Sequence, residues 1–133
     1  MIILDTNVVS EPLRPAPDKD VIAWLDEQVI ETLYLTTLSL AEIRFGIAAL
    51  PRGKRATRLR QRFEEEVVPL FADRILSFDE PATGAYAELR AAARKVGHAI
   101  GDFDALIAAI AKASGFTVAT RVTQPPSNLS EYR

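Results

Sequence analysis

The stretch that decides the fold is Met1-Ile2-Ile3-Leu4-Asp5-Thr6-Asn7, an apolar run that ends in a carboxylate, a hydroxyl and an amide. A short apolar run bounded by polar turn formers predicts a buried strand, and we expect a strand at this position to lie centrally in a sheet. Asp5 then stands at the carboxyl end of that strand, where open α/β sheets bind ligands. On local grounds, Asp5 or Asn7 could instead cap a following short helix at 8–11.

The composition is typical of one globular domain. Of the 133 residues, 48% are hydrophobic and 26% are charged, so we expect a sizeable core and no large disordered region. The 16 basic and 18 acidic residues nearly balance, so a nucleic-acid partner would have to be met by a local basic patch. Cysteine is absent, which excludes disulfides and thiolate zinc sites. No stretch approaches the ~20 apolar residues of a membrane span, so we expect a cytoplasmic protein without membrane contact.

Strand-like and helix-like patterns alternate along the chain. Beyond the first strand, β-rich segments predict strands at 32–37, 74–78 and 116–120. Apolar residues at helical spacing predict helices at 21–29, 40–50, 81–96 and 100–111, and Gly115 is expected to stop the last one. No glycine-rich phosphate loop follows any predicted strand, which disfavours a nucleotide-binding domain.

Two further carboxylates begin helices in the way Asp5 does. Glu42 lies near the start of the helix after the second strand, although Ser39 as N-cap with Glu42 three residues later also matches a capping box. Asp104 lies in the first turn of an alanine-rich helix, where free N–H groups favour a carboxylate. Asp102 is the expected N-cap of that helix.

If Asp5, Glu42 and Asp104 converge, they form an oxygen-only site. Such a site suits Mg²⁺ or Mn²⁺ and disfavours zinc. The chemistry that most often uses it is the hydrolysis of a phosphodiester. The lone histidine, His98, has no second histidine for a metal pair or a catalytic triad, so we interpret it as incidental.

Basic residues concentrate between positions 44 and 62, where seven of the sixteen lie. Arg55, Arg58 and Arg62 fall on one helical face, and Leu59 and Phe63 fall on another. A solvated helix face is the simpler interpretation, because three glutamates follow immediately. The alternative is a patch for phosphates, which arginine grips through two parallel hydrogen bonds.

Four short segments occur in a distinctive order and spacing: Leu4-Asp5-Thr6-Asn7, Leu40-Ala41-Glu42-Ile43-Arg44-Phe45-Gly46, Asp104-Ala105-Leu106-Ile107-Ala108-Ala109 and Ala119-Thr120-Arg121. Together they resemble the PIN domain, and within it the VapC-type toxins of type II toxin–antitoxin systems, including the FitB-like branch. The resemblance covers residues 1–121. It implies an α/β, three-layer PIN-like fold whose central, mostly parallel sheet is flanked by helices. It also implies a Mg²⁺-dependent endoribonuclease, commonly a homodimer, that is silenced by a VapB-type antitoxin and meets DNA only through that antitoxin.

The resemblance also implies roles for individual residues. Asp5, Glu42 and Asp104 match the catalytic, metal-binding acids, and Asp102 is an extra acid beside them. Thr6 and Thr120 match hydroxyl positions that line the pocket. Independently of the resemblance, the basic residues predicted to contact the RNA backbone are Arg44, Arg55, Arg58, Arg62 and Arg121.

The chain departs from the family after Arg121. The family usually continues with an asparagine, an aspartate–phenylalanine pair and a final strand, whereas residues 122–133 read VTQPPSNLSEYR. The usual fourth acid is missing, and the two prolines preclude an ordinary central strand. We therefore treat residues 1–133 as a single PIN-like domain with a divergent tail at 122–133. The competing hypothesis is a catalytically weakened or inactive PIN-like subunit that acts through an antitoxin complex.

Overall fold

A computed structural model of the chain describes residues 1–121 and 130–132. Its strands in this part are β1 (Ile2–Leu4), β2 (Leu33–Thr36), β3 (Ile75–Leu76), β4 (Thr117–Thr120) and β5 (Ser130–Tyr132). They form one sheet in the order β3-β2-β1-β4-β5, so the opening strand is central as expected. Strands β1 to β4 are parallel, and β5 pairs antiparallel with β4 at the edge.

Helices connect the parallel strands. They are α1 (Thr6–Val9), α2 (Lys19–Glu27), α3 (Thr37–Ala48), α4 (Lys54–Arg62), α5 (Glu80–Lys95) and α6 (Asp102–Ser114). A π-helical segment, Phe63–Val67, continues α4, and 3₁₀ turns occupy Glu11–Leu13, Ile30–Thr32 and Val68–Phe71. No helix in the described ranges is long and apolar enough to span a bilayer.

The sheet separates two apolar cores because successive side chains of a strand point to opposite faces. Ile3 packs with Ala82 of α5 and Ile107 of α6. Leu4 packs in the other core, whose further members include Val8, Val21, Leu35, Ile43 and Phe63. Helices therefore cover both faces of the sheet, and the expected three-layer α/β fold is confirmed.

The parallel register brings the carboxyl ends of the central strands to one edge of the sheet. Leu4 pairs with Ala119, and the N–H of Asp5 donates to the carbonyl of Ala119 over 2.9 Å. Asp5 and Thr120, the residues that follow these two partners, therefore lie side by side. Both residues were predicted from the sequence to belong to the site.

The N-cap predicted for α3 is wrong. The helix begins at Thr37, and Thr36 caps it by accepting a hydrogen bond from the N–H of Ser39 over 3.1 Å. Strand β2 turns into the helix without a loop, so its last residue supplies the cap. Ser39 is therefore not the N-cap, and Glu42 is not a capping-box glutamate.

The N-cap predicted for α6 is also wrong, by one residue. Gly101 is the N-cap and Asp102 is the first helical residue, because the Asp102 carboxylate is taken by Arg90 over 2.7 Å instead of turning back to the backbone. Asp104 lies in the first turn, as predicted. Gly115, with a φ of 73°, ends the helix in the left-handed conformation.

Strand β5 was not predicted from the sequence. It pairs Ser130 with Thr120 and Tyr132 with Val118 at the edge of the sheet. Pro125 and Pro126 precede this strand in the sequence, so neither of them removes a backbone N–H from its residues. Residues 122–129, which make up most of the predicted divergent tail, lie outside the described residues.

Candidate active site

Four acids line one cleft of about 330 Å³ at the carboxyl edge of the sheet. They are Asp5 after β1, Glu42 from α3, and Asp102 and Asp104 from the start of α6; the other lining residues are Thr6, Asn7, Gly101 and Phe103. The structure thus brings together all three acids predicted to be catalytic and two of the three accessory residues. No cationic side chain is among the described residues that line the cleft, so its charged lining is entirely negative.

Asp5 is held by hydrogen bonds to both of its carboxylate oxygens. Oδ1 accepts from the N–H of Thr6, and Oδ2 accepts from Oγ1 of Thr120, each over 2.8 Å. The first bond makes Asp5 the N-cap of α1. The local capping role and the place in the cleft therefore belong to the same side chain. Thr120, the third accessory residue, orients Asp5 from outside the lining.

A hydroxyl cluster joins the start of α1 to the start of α3. Oγ1 of Thr6 donates to Oγ of Ser39 over 3.0 Å, and Oγ1 of Thr36 approaches the same oxygen at 3.4 Å. Thr36 and Ser39 are fully buried. Sequence reasoning missed this positioning role, although polar residues directly after an apolar strand were a usable signal. The cluster fixes α3, and hence Glu42, relative to Asp5.

Asp102 and Asp104 differ in their partners although they are two residues apart. Asp102 forms an ion pair with Arg90, whose hydrogen bond raises the pKa of the guanidinium above its ordinary value. Asp104 is exposed in the first turn of α6, where unpaired backbone N–H groups favour a negative charge. The guanidinium of Arg90 therefore holds Asp102, whereas Asp104 lines the cleft without an ion pair to any other described residue.

The donor set fits a hard divalent cation, because every candidate ligand is a carboxylate. Asp5, Glu42 and Asp104 are the residues that could hold it. Within residues 1–121 and 130–132, however, no three Asp, Glu, His or Cys side chains are already gathered as a ligand group. The acids line a common cleft without meeting at one point. Their mutual repulsion opposes closer approach in the absence of a cation.

The arginines proposed for RNA contact have different environments. Arg44 donates twice to Glu64, over 3.0 and 2.8 Å, and this hydrogen-bonded pair raises the pKa of Arg44 and lowers that of Glu64. Arg121 pairs with Glu11 and, over 3.0 Å, with Asp18. Both guanidinium groups are thus engaged within the protein. By contrast, three arginines of α4 are exposed and pair with no acid in the described residues: Arg55, Arg58 and Arg62.

The comparison with protein families identifies a domain that covers most of the chain. The model of the PIN domain matches residues 2–121, which include every strand except β5 and all the acids of the cleft. The chain belongs to the PIN-domain family. The resemblance predicted from four short segments is confirmed.

Several relatives of this PIN-domain chain have assigned names. It is 54% identical to VapC ribonuclease Y4jK of Sinorhizobium fredii over 94% of this chain and 89% of that protein. It is 50% identical to toxin FitB of Neisseria gonorrhoeae over 92% of this chain and 88% of that protein. Among solved structures, it is similar to FitAB bound to an IR36 DNA fragment, with a TM-score of 0.89 and 50% identity over 92% of this chain and 86% of that one.

These relatives place the PIN-domain chain in the VapC-type branch, as predicted. That branch consists of ribonuclease toxins, so the enzyme class expected from the sequence is confirmed. Ribonucleases of the VapC type depend on metal ions as a class.

Proposed function

We propose that this PIN-domain chain is a Mg²⁺-dependent endoribonuclease toxin of a VapBC-type pair, with catalytic acids Asp5, Glu42 and Asp104. One observation carries the proposal: these acids come from three distant parts of the sequence and line a single cleft. The VapC ribonuclease that is 54% identical supports the same activity. Mn²⁺, which accepts the same oxygen ligands, can replace Mg²⁺.

Asp5, Glu42 and Asp104 would hold the ion. When bound, it supplies neutralisation of phosphate charge and activation of water. The chain contributes orientation. Thr120 and the N–H of Thr6 fix both oxygens of Asp5, so this carboxylate cannot rotate away from the cleft without losing two hydrogen bonds. The first turn of α6 presents Asp104 together with free backbone N–H groups, which also attract phosphate oxygens.

The test is cleavage of a mixed-sequence RNA by the purified chain, freed of any partner, with and without Mg²⁺. We expect metal-dependent cleavage, and we expect Asp104→Asn to reduce it at least 100-fold, since a neutral amide neither holds the cation nor balances its charge. Asp26→Asn is the matched control, because Asp26 is an exposed acid on α2, outside the cleft. Cleavage that persists without metal, or in Asp104→Asn, would contradict the proposal.

The inactive-subunit hypothesis is favoured by two observations. The tail at 122–133 lacks the acid that the family resemblance leads us to expect, and the described acids are not gathered as a ligand group. An inactive subunit would fold and bind its antitoxin but neither cleave RNA nor respond to the ion. Metal-dependent stabilisation of the folded chain therefore separates the two hypotheses.

The toxin we propose is a single PIN-like domain over residues 1–133 that acts in the cytoplasm as a homodimer. Its other partner is a VapB-type antitoxin. The solved FitAB complex on DNA supports this partner and a contact with DNA that is made through the complex. A cleft whose charged lining is entirely negative is an attractive site for an antitoxin arginine, whose guanidinium would take the place of the cation.

A further inference from the structure

A second and larger cavity, of about 910 Å³, opens at the end of α5 and the loop that leads into α6. Its polar lining is basic: Arg90, Arg94, Lys95 and His98 contribute, and none of the described lining residues is acidic. Apolar residues, including Ala99 and Ile100, complete the wall. We call this feature the α5 cavity. It was not predicted from the sequence, in which these basic residues lie outside the stretch from 44 to 62.

The α5 cavity and the acidic cleft share a boundary. Arg90 lines the cavity, Asp102 lines the cleft, and the two side chains are joined by their 2.7 Å ion pair. The backbone makes the same connection, because Ile100 lines the cavity and Gly101 lines the cleft. A bound polymer that leaves the cleft on this side therefore passes directly from a negative surface to a positive one.

We propose that the α5 cavity binds the RNA nucleotide next to the scissile phosphate. Arg94 and Lys95 contact its phosphate, and the imidazole of His98 stacks on its base. The volume lies within the 300–1,000 Å³ typical of ligand sites. Splayed nucleotides are bound in this way, by cations on the phosphate and by an aromatic or histidine ring on the base. This inference rests on the proposed ribonuclease function and adds a substrate subsite to it.

The basic face of α4 is the competing location. Its depression, of about 510 Å³, is lined by Lys54 and Arg58 among others. It shares no lining residue with the acidic cleft, and no ion pair among the described residues joins the two. The α5 cavity is therefore better placed for the nucleotide beside the cleavage point, and α4 is a candidate for more distant phosphates.

The test is binding of a fluorescein-labelled, mixed-sequence 12-nucleotide RNA in the Asp104→Asn background, where the probe survives. Arg94→Ala with Lys95→Ala should weaken binding on the order of tenfold. Because both side chains contact the same phosphate, their loss should lower the slope of log K against log salt by about 0.7. The matched control, Lys19→Ala with Lys112→Ala, removes the same charge from α2 and from the far end of α6 and should leave the slope unchanged.

The stacking role of His98 has its own test. His98→Ala should weaken binding of the same RNA about fivefold or more, the effect of losing one stacked base. His98→Phe should restore it, because a phenyl ring stacks without carrying a charge. Failure of phenylalanine to restore binding would overturn the stacking role.

The chemistry of the cleft is checked with bis(p-nitrophenyl) phosphate, which lacks the second phosphate and the base that the α5 cavity is proposed to bind. Hydrolysis of this ester by the unmodified chain should depend on Mg²⁺ and should be lost in Asp104→Asn, whatever the result at the α5 cavity. If no variant hydrolyses it, the proposed function fails, while RNA binding still reports on the cavity. An unchanged affinity and salt slope in Arg94→Ala with Lys95→Ala would overturn the inference. So would a flattened slope seen only with Arg58→Ala and Arg62→Ala, which would assign the RNA to α4.

Discussion

Single residues in this protein serve the fold and the candidate site together. Asp5 caps α1 with one carboxylate oxygen and receives the hydroxyl of Thr120 with the other. The local and functional interpretations of Asp5 were alternatives at the level of sequence, and the structure shows that they are compatible. Glu11, by contrast, serves only the fold. This acid is buried, with 2% of its surface exposed, and it does not line the cleft.

Arg121 is the residue on which Glu11 depends. It pairs with one carboxylate oxygen of Glu11, and the N–H of Asp18 donates to the other over 3.0 Å. We predict that Arg121→Ala costs about 3 kcal/mol in the free energy of unfolding, because it leaves the buried Glu11 carboxylate with only the exposed Arg14 as counter-ion. Urea denaturation at neutral pH measures this cost.

Arg14→Ala is the control for that prediction. Arg14 meets the same carboxylate at 3.4 Å with 62% of its side chain exposed, so its loss should cost less than about 1 kcal/mol. Glu11→Gln should recover part of the stability of Arg121→Ala, since an amide needs no counter-ion. If Arg121→Ala cost no more than Arg14→Ala, the pair of Arg121 with the buried Glu11 would not stabilise the folded chain.

At the scale of elements, the junction between β2 and α3 determines where Glu42 lies. Thr36 is both the last residue of the strand and the cap of the helix, so the helix starts without a connecting loop. Glu42 consequently lies in the second turn of α3 and is exposed toward the cleft. A capping-box glutamate would instead have turned back to the helix start.

We predict that Thr36→Val lowers the free energy of unfolding by about 1–2 kcal/mol, since it removes the cap and a buried hydroxyl. Glu42→Gln should change stability by less than about 0.5 kcal/mol, because no cap depends on it, yet it should abolish RNA cleavage. Chemical denaturation and the cleavage assay check both statements. Marked destabilisation by Glu42→Gln would restore the capping-box interpretation.

At the scale of the whole molecule, the sheet and its two cores hold the cleft in place. Asp5 follows a strand that is central in the sheet, and α6, which presents Asp104, packs on the core that contains Ile3. The acids therefore stand on rigid elements, while their like charges remain close to one another. A cation that relieves this repulsion binds only the folded chain, because the unfolded chain does not bring the acids together.

We predict that Mn²⁺ raises the melting temperature of the chain. At a hundredfold excess over the dissociation constant, the linkage contributes about 2.7 kcal/mol, which corresponds to a shift on the order of 10 °C for a domain of this size. Differential scanning fluorimetry measures the shift. Asp104→Asn should reduce it strongly and Asp26→Asn should not. A folded chain with no response to the ion would favour the inactive-subunit hypothesis.

Much of the fold could be predicted from the sequence because it depends on local patterns of residues. The apolar opening strand, the strand-and-helix alternation and the Gly115 stop all reflect periodicity or backbone preference, which a sequence carries directly. The errors lie at helix starts, where Ser39 and Asp102 each resembled a cap. Both residues have partners from elsewhere in the chain, Thr6 and Arg90, and local pattern contains no information about such partners.

The sequence by itself determined the fold class and the family and predicted the three acids of the candidate site, because hydrophobic periodicity and the motifs around these acids lie in consecutive residues. Only the tertiary structure decided which charges meet. It engaged Arg44 and Arg121 in ion pairs, joined Arg90 to Asp102 and placed the α5 cavity beside the cleft. These contacts join residues far apart in the chain, and their geometry depends on how helices pack across the sheet.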